Sequence, residues 1–389
     1  MTHSRNYRTL RRLILPALAG GALAALAFAP TFGAEPVQAN VPTQSISAPK
    51  GDAPKSDVPK TDVPKVDVPR PDDVKTGEIN EQTPHKEANP STFTGTSVIS
   101  ESKTFEHQRF DNTTSDQNSF IGKNKATITI DSSVFDKMGN TTNDDNSNFR
   151  GQNAVVLGIE GSQTSIKNSN ITSNSIGSNA VFATGEGSVI NVENTNIHTK
   201  GDSSRGLDAT YKGTVNGKNL TITTEGAHSA TLATDRGEGT ITAEAAKLTT
   251  SGTGSPVIYS TGNITANNVN GVANKSEIGV VEGKNSITLT NSNVTGYHDN
   301  GFMLYQSFSG DAESGIARLK AENNTLTTHG TGAFIYVNNT TAEADLTGNT
   351  ILMPNTTTLV KAAADSRWGK DGENGGHLTL RASNQELSG

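Results

Sequence analysis

Between Gln163 and Gly262 one unit of roughly 25 residues returns several times, and this repeat constrains the fold more than any other feature of the chain. Ile171, Ile197, Ile222 and Leu248 recur at that interval, which is constant to within a single position. Gly201, Gly226 and Gly252 each stand four residues after the last three of them. Each unit then reaches a short apolar run: Ala180-Val181-Phe182-Ala183, Gly206-Leu207-Asp208-Ala209, Ala230-Thr231-Leu232-Ala233 and Pro256-Val257-Ile258-Tyr259. Ile190, Val215 and Ile241 supply a third apolar register. Three short strands per unit are therefore expected.

A strand of four to six residues cannot bury its inward side chains alone, so each unit must stack on the next, with hydrogen bonds running along the stack. That geometry is an all-β fold, a parallel β-helix. Asn, Gly, Asp and Ser dominate between the strands, the types that tolerate left-handed backbone angles or bond their own backbone at sharp corners. Helical periodicity is hard to find beyond residue 90, whereas Thr, Val and Ile are frequent. A disordered polar tract of this composition would give no reason for apolar residues to return at a fixed interval.

The apolar fraction of 32% is low for a globular protein of 389 residues. A solenoid accommodates it, because its core is a narrow column and most of each coil faces water. Residues 1–39 read as a secretory signal, with Arg5 to Arg12, an apolar run from Leu13 to Phe28 and a cleavage site at Val37-Gln38-Ala39. Residues 40–91 read as a Pro/Lys/Asp-rich disordered linker carrying units such as Lys60-Thr61-Asp62-Val63-Pro64, since proline at every fifth position forbids helix and sheet interiors. Residues 92–389 are assigned to the β-helix, with Asn140 to Arg150 as a loop bulging from it and Asp365 to Gly376, around Trp368, as a second long loop.

Net charge is −7. Four arginines against Glu35 leave +3 on residues 1–39, so the remainder carries −10, which argues against nucleic acid or an anionic membrane as partner. No segment of the mature chain reads as membrane-spanning. The chain has no cysteine, which excludes disulfides, thiol catalysis and Cys-based metal sites.

With its signal, its spacer and units such as Asn285-Ser286-Ile287-Thr288-Leu289-Thr290-Asn291-Ser292-Asn293-Val294, the chain resembles the right-handed β-helical passenger regions of Gram-negative autotransporters and related surface adhesins over roughly residues 92–389. The resemblance implies a secreted or outer-membrane location and a role in adhesion to a host or bacterial surface glycan or protein. Such passengers precede a membrane β-barrel. This chain stops at Leu387-Ser388-Gly389 in mid-pattern, as a truncated autotransporter or a soluble secreted β-helix would.

The same fold hosts polysaccharide lyases and glycoside hydrolases, so catalysis is the rival expectation. It needs carboxylates converging on one face, at equivalent positions of neighbouring coils. Asp208 and Asp235 come closest, little more than one repeat apart, but their registers differ. Asp144-Asp145 and Arg318-Leu319-Lys320 resemble fragments of the polygalacturonase set, whose Asn-Thr-Asp and Gly-His-Gly elements are missing. His198, His228, His298 and His329 recur near the corners at intervals that are not multiples of the repeat, and they read as solvated turn residues rather than metal ligands. No catalytic, cofactor-binding or metal site is assigned, and no cofactor is expected. Tyr259, Tyr305 and Tyr336 end three apolar runs, while Tyr297, Phe302, Phe308 and Phe334 cluster nearby. Inward tyrosines would be core stacks, the expected role; outward ones would form a platform for sugar rings or a protein partner. The sequence thus supports a non-catalytic exported binding rod, with a lyase or hydrolase as the alternative.

Overall fold

The computed structural model describes residues 88–307, 312–364 and 375–389. The leader, almost all of the linker, Phe308 and Trp368 lie outside the described residues. The described strands form three parallel sheets of eleven strands each, here called A, B and C, and every third strand in sequence joins the same sheet. One coil is typical: Val181–Thr184 in sheet A, Val189–Glu193 in sheet B and Asn196–Thr199 in sheet C. The described residues form a parallel β-helix of about eleven turns.

The repeat positions read from the sequence fall into columns. Ile171, Ile197, Ile222 and Leu248 are direct partners on adjacent strands of sheet C, each at most 2% exposed. Each such side chain contributes about 1.5–3 kcal/mol by leaving water. At Gly271 the column lacks a side chain, and Val257 and Val294 close around the gap. Ile190, Val215 and Ile241 form the equivalent column of sheet B. Phe105, Phe110, Phe120 and Phe135 pack edge-to-face and stacked in the first coils, where the column would otherwise begin open to water.

Two kinds of corner hold the coils in register. Between sheets B and C the turn is made by Asn168, Asn194, Asn219, Asn268, Asn291 and Asn323, all with positive φ near 50–56°, a conformation asparagine tolerates better than other residues with a side chain. Their amides also bond along the stack: Asn194 Nδ2 donates to Asn168 Oδ1 at 3.2 Å and Asn219 Nδ2 to Asn194 Oδ1 at 3.1 Å. Between sheets C and A the repeat glycines do a different job, because their φ is not left-handed. A Cβ on Gly226 would lie 1.9 Å from Gly201 O, and one on Gly252 would lie 1.7 Å from Gly226 O, so backbone rests directly on backbone.

Sheets B and C alternate buried and exposed residues, as a sheet with one solvated face should. Sheet A does not. Val181–Thr184, Leu207–Thr210 and Phe302–Tyr305 are buried at every position, so over these strands the outer face of sheet A is covered as well. Phe93 covers the first part, packing on Ile121, Leu157 and Phe182. Next comes the segment expected to bulge as a loop. It instead folds into helix α1 (Asp144–Arg150), because Asn143 caps its N-terminus, Asp144 and Asp145 occupy the first turn, Arg150 the last, and Gly151 closes it in a left-handed conformation. The tyrosines expected in the core lie outside it. Tyr305 joins Val280 and Met303 in a separate cluster on the outer face of sheet A, with Tyr259 and Tyr336 packed against them, since Phe302 and Ile335 already fill the inward positions of the same coils.

Candidate active site

Strand Gly279–Glu282 of sheet A carries an acid at each end, Glu277 at the corner before it and Glu282 as its last residue. Counting back from the Gly279–Phe302 pairing places Ser276 beside Asp299 and Glu277 beside Asn300 on the next coil. Adjacent coils are about 4.8 Å apart, so Glu277, Asp299 and His298 share one corner. Gly330 and Gly332 of the following coil press on Asp299 O, where a side chain on either would collide, and Asn300 Oδ1 accepts from Ala333 N at 3.0 Å.

The two carboxyl groups of this corner are driven in opposite directions. Glu277 is 4% exposed, and burial raises its pKa against the opposing effects of a backbone hydrogen bond, of Ser276 Oγ, which donates to Oε2 at 2.9 Å, and of the nearby His298. Asp299 is half-exposed and its pKa is lowered, chiefly by its hydrogen bond with His298, whose Nδ1 lies 3.3 Å from Oδ1. His298 is raised by the same hydrogen bond. Two neighbouring carboxyl groups whose surroundings move their pKa values apart are the arrangement from which acid–base pairs are built. Tyr297, 50% exposed, stacks on His329 with ring centroids 4.5 Å apart and planes 6° from parallel, presenting an aromatic surface beside the acids.

At the other end of the strand Glu282 is buried and fully engaged. Its Oε2 accepts from Tyr259 Oη at 2.7 Å and Tyr305 Oη at 2.8 Å, and its Oε1 accepts from Ser307 Oγ. The Lys361 ammonium lies 5.3 Å over the Tyr336 ring. These tyrosines face outward, yet the hydroxyls of Tyr259 and Tyr305 serve the protein itself.

Asp208 and Asp235, separated in the sequence by their registers, do come together, through an arginine the sequence did not single out. Arg205 Nη2 lies 2.7 Å from Asp235 Oδ2 and Nε 3.8 Å from Asp208 Oδ2, and Nη1 donates to Asn148 of α1. All three charged side chains are at most 1% exposed, so the cluster fastens α1 to sheet A and is closed to substrate. Arg150 over Tyr211 and Arg236 over Phe149, each 3.7 Å from the ring centroid, complete that fastening. Buried Lys137 is likewise structural: its ammonium donates to the carbonyls of Thr114 and Gly139 at 3.0 Å, and burial lowers its pKa to about 8.

The remaining sequence candidates disperse. Asp144 and Asp145 start α1 over sheet A, whereas Arg318 and Lys320 face outward on sheet B, beside Glu343 and Glu322. His198 pairs with Glu225 at 2.6 Å, so the histidines do have acidic neighbours, but among the described residues no group of three or more His, Asp or Glu could hold a metal ion. Also among them, no helix is long and apolar enough to cross a membrane.

No family model and no curated protein matches the chain. Among solved structures it is similar to the catalytic domain of a GH87 alpha-1,3-glucanase in complex with tetrasaccharides, at 10% identity and a TM-score of 0.32, covering 75% of this chain and 64% of that one. The same kind of domain in complex with nigerose matches at 12% identity and a TM-score of 0.30, covering 74% and 62%. The chain thus spans less than two thirds of these solved chains. They are catalytic domains, and against them the expectation that this chain is not an enzyme does not stand. Likeness at this level describes the fold alone. The corner pair escaped the sequence because Glu277 and Asp299 stand slightly less than one repeat apart, and only the stacked corner brings them together.

Proposed function

We propose that the protein is a glycoside hydrolase built on a β-helix, with Glu277 as general acid and Asp299 as general base. One observation carries this reading: two carboxyl groups share a single corner whose surroundings push their pKa values in opposite directions, burial raising that of Glu277 and the His298 hydrogen bond lowering that of Asp299. Glycosidic hydrolysis needs that division, one group giving a proton to the leaving oxygen while the other activates water. His298 holds Asp299 ionised, and Tyr297 offers a face on which a sugar ring can stack. The test is hydrolysis of a panel of neutral and acidic glycans, alpha-1,3-glucan included, by the full chain and by its Glu277→Gln and Asp299→Asn variants. Release of reducing ends that both variants abolish without loss of fold supports the assignment. No release from any glycan, or undiminished release by the variants, removes it.

A second reading is a surface-exposed rod of the autotransporter-passenger type that adheres to a host or bacterial surface glycan or protein. The open polar face of sheet B favours it. The leader at 1–39 and the spacer at 40–91 would carry the β-helix out of the cell and hold it away from the surface. Cell aggregation or binding assays with the displayed chain test that role.

A further inference from the structure

A groove of about 820 Å³ runs over the outer face of sheet B, crossing five successive coils from Ser165 to Thr265. Two columns of side chains line it. In the first, Asn216 Nδ2 donates to Asn191 Oδ1 at 2.9 Å and Thr242 Oγ1 donates to Asn216 Oδ1 at 2.7 Å. An amide carries two N–H groups and two acceptor lone pairs, so Asn216 keeps one of each for a ligand. In the second column the charge alternates, and each lysine lies beside a glutamate of the next coil: Lys167 with Glu193 at 3.4 Å and Lys218 with Glu244 at 3.8 Å.

We infer that this groove binds a neutral, unbranched polysaccharide lying along the axis of the solenoid. The charged column is neutralised within itself, so it offers neither sign of field to a polyanion or a polycation. The amide and hydroxyl column offers donors and acceptors side by side about every 4.8 Å, which suits a polymer of hydroxyl groups, each of them donor and acceptor at once. The columns run across the strands, so a linear chain can meet one coil after another over about 19 Å, four inter-strand spacings. The groove contains no aromatic ring, so each sugar gains only hydrogen bonds and affinity must grow with chain length. This groove is separate from the Glu277 corner, and its ligand binding does not depend on the hydrolytic assignment.

The inference is tested on the full chain carrying Glu277→Gln, which separates binding from cleavage, by calorimetric titration with soluble glucan oligosaccharides of increasing length and with polygalacturonate. Affinity is expected to rise about tenfold or more between oligosaccharides shorter than the groove and those that span it, and to change little with salt. Adding Asn191→Leu and Asn216→Leu, with circular dichroism unchanged, is expected to abolish that rise. Absence of glucan binding, tighter binding of polygalacturonate, affinity independent of length, or parental affinity in the ladder variant overturns the inference.

Discussion

The outer faces of sheets A and B are made by the same repeat, yet they have opposite fates. On sheet B every outward residue stays wet: asparagines and threonines ladder along the stack and charges sit in exposed pairs. On sheet A, Phe93, α1 and the C-terminal tyrosines cover the strands, and the acids beneath are taken out of water. A polar group on an open strand can fall back on solvent, whereas a covered one depends on its protein partners. The repeat therefore supplies the scaffold, and the departures from it take charged groups out of water.

That contrast can be broken most forcefully at Arg205. Arg205→Ala leaves Asp208 and Asp235 buried without their cation and is expected to cost about 3–5 kcal/mol, read as a lowered urea midpoint. Glu282→Ala removes the acceptor shared by Tyr259, Tyr305 and Ser307 and should cost about 2 kcal/mol by the same measurement. The corner sharpens the contrast through pH. With its pKa raised, folded Glu277 keeps its proton where the unfolded chain has lost it, so folding takes up a proton there and stability falls as pH rises above 4.5 until the folded carboxyl ionises. Glu277→Gln should flatten that limb of the curve. Asp299 acts in the other direction, its lowered pKa lending stability above the ordinary aspartate range that is lost on acidification; Asp299→Asn should remove it. Asn216→Ala and Thr242→Ala, on the open face, are expected to stay within about 0.5 kcal/mol of the parent. A loss as large as that at Glu282 would erase the distinction between the two faces.

The column was legible because inward burial imposes a period that a chain must repeat to fold. Ile171, Ile197, Ile222 and Leu248 follow from that alone. What covers sheet A was not legible, since α1 spans only two turns, too short for an apolar stripe to betray it, and its grip comes from Arg205, two coils further along the chain. The tyrosines were misplaced for a related reason. A strand buried on both sides shows no alternation, and nothing in Gly301-Phe302-Met303-Leu304-Tyr305 says which face is the core. The corner acids were hidden by coil length. Coils in that part of the chain are shorter than those upstream, so a search at the upstream spacing passes over Glu277 and Asp299.

The bare stack of Gly201, Gly226 and Gly252 has a consequence for how the rod can fail. A single methyl group on the middle one would act as a wedge whose force falls on the floor below and not on the strand that carries it. Cooperativity in a linear stack passes only between neighbours, so such a wedge would divide the molecule into an upper and a lower block that melt separately.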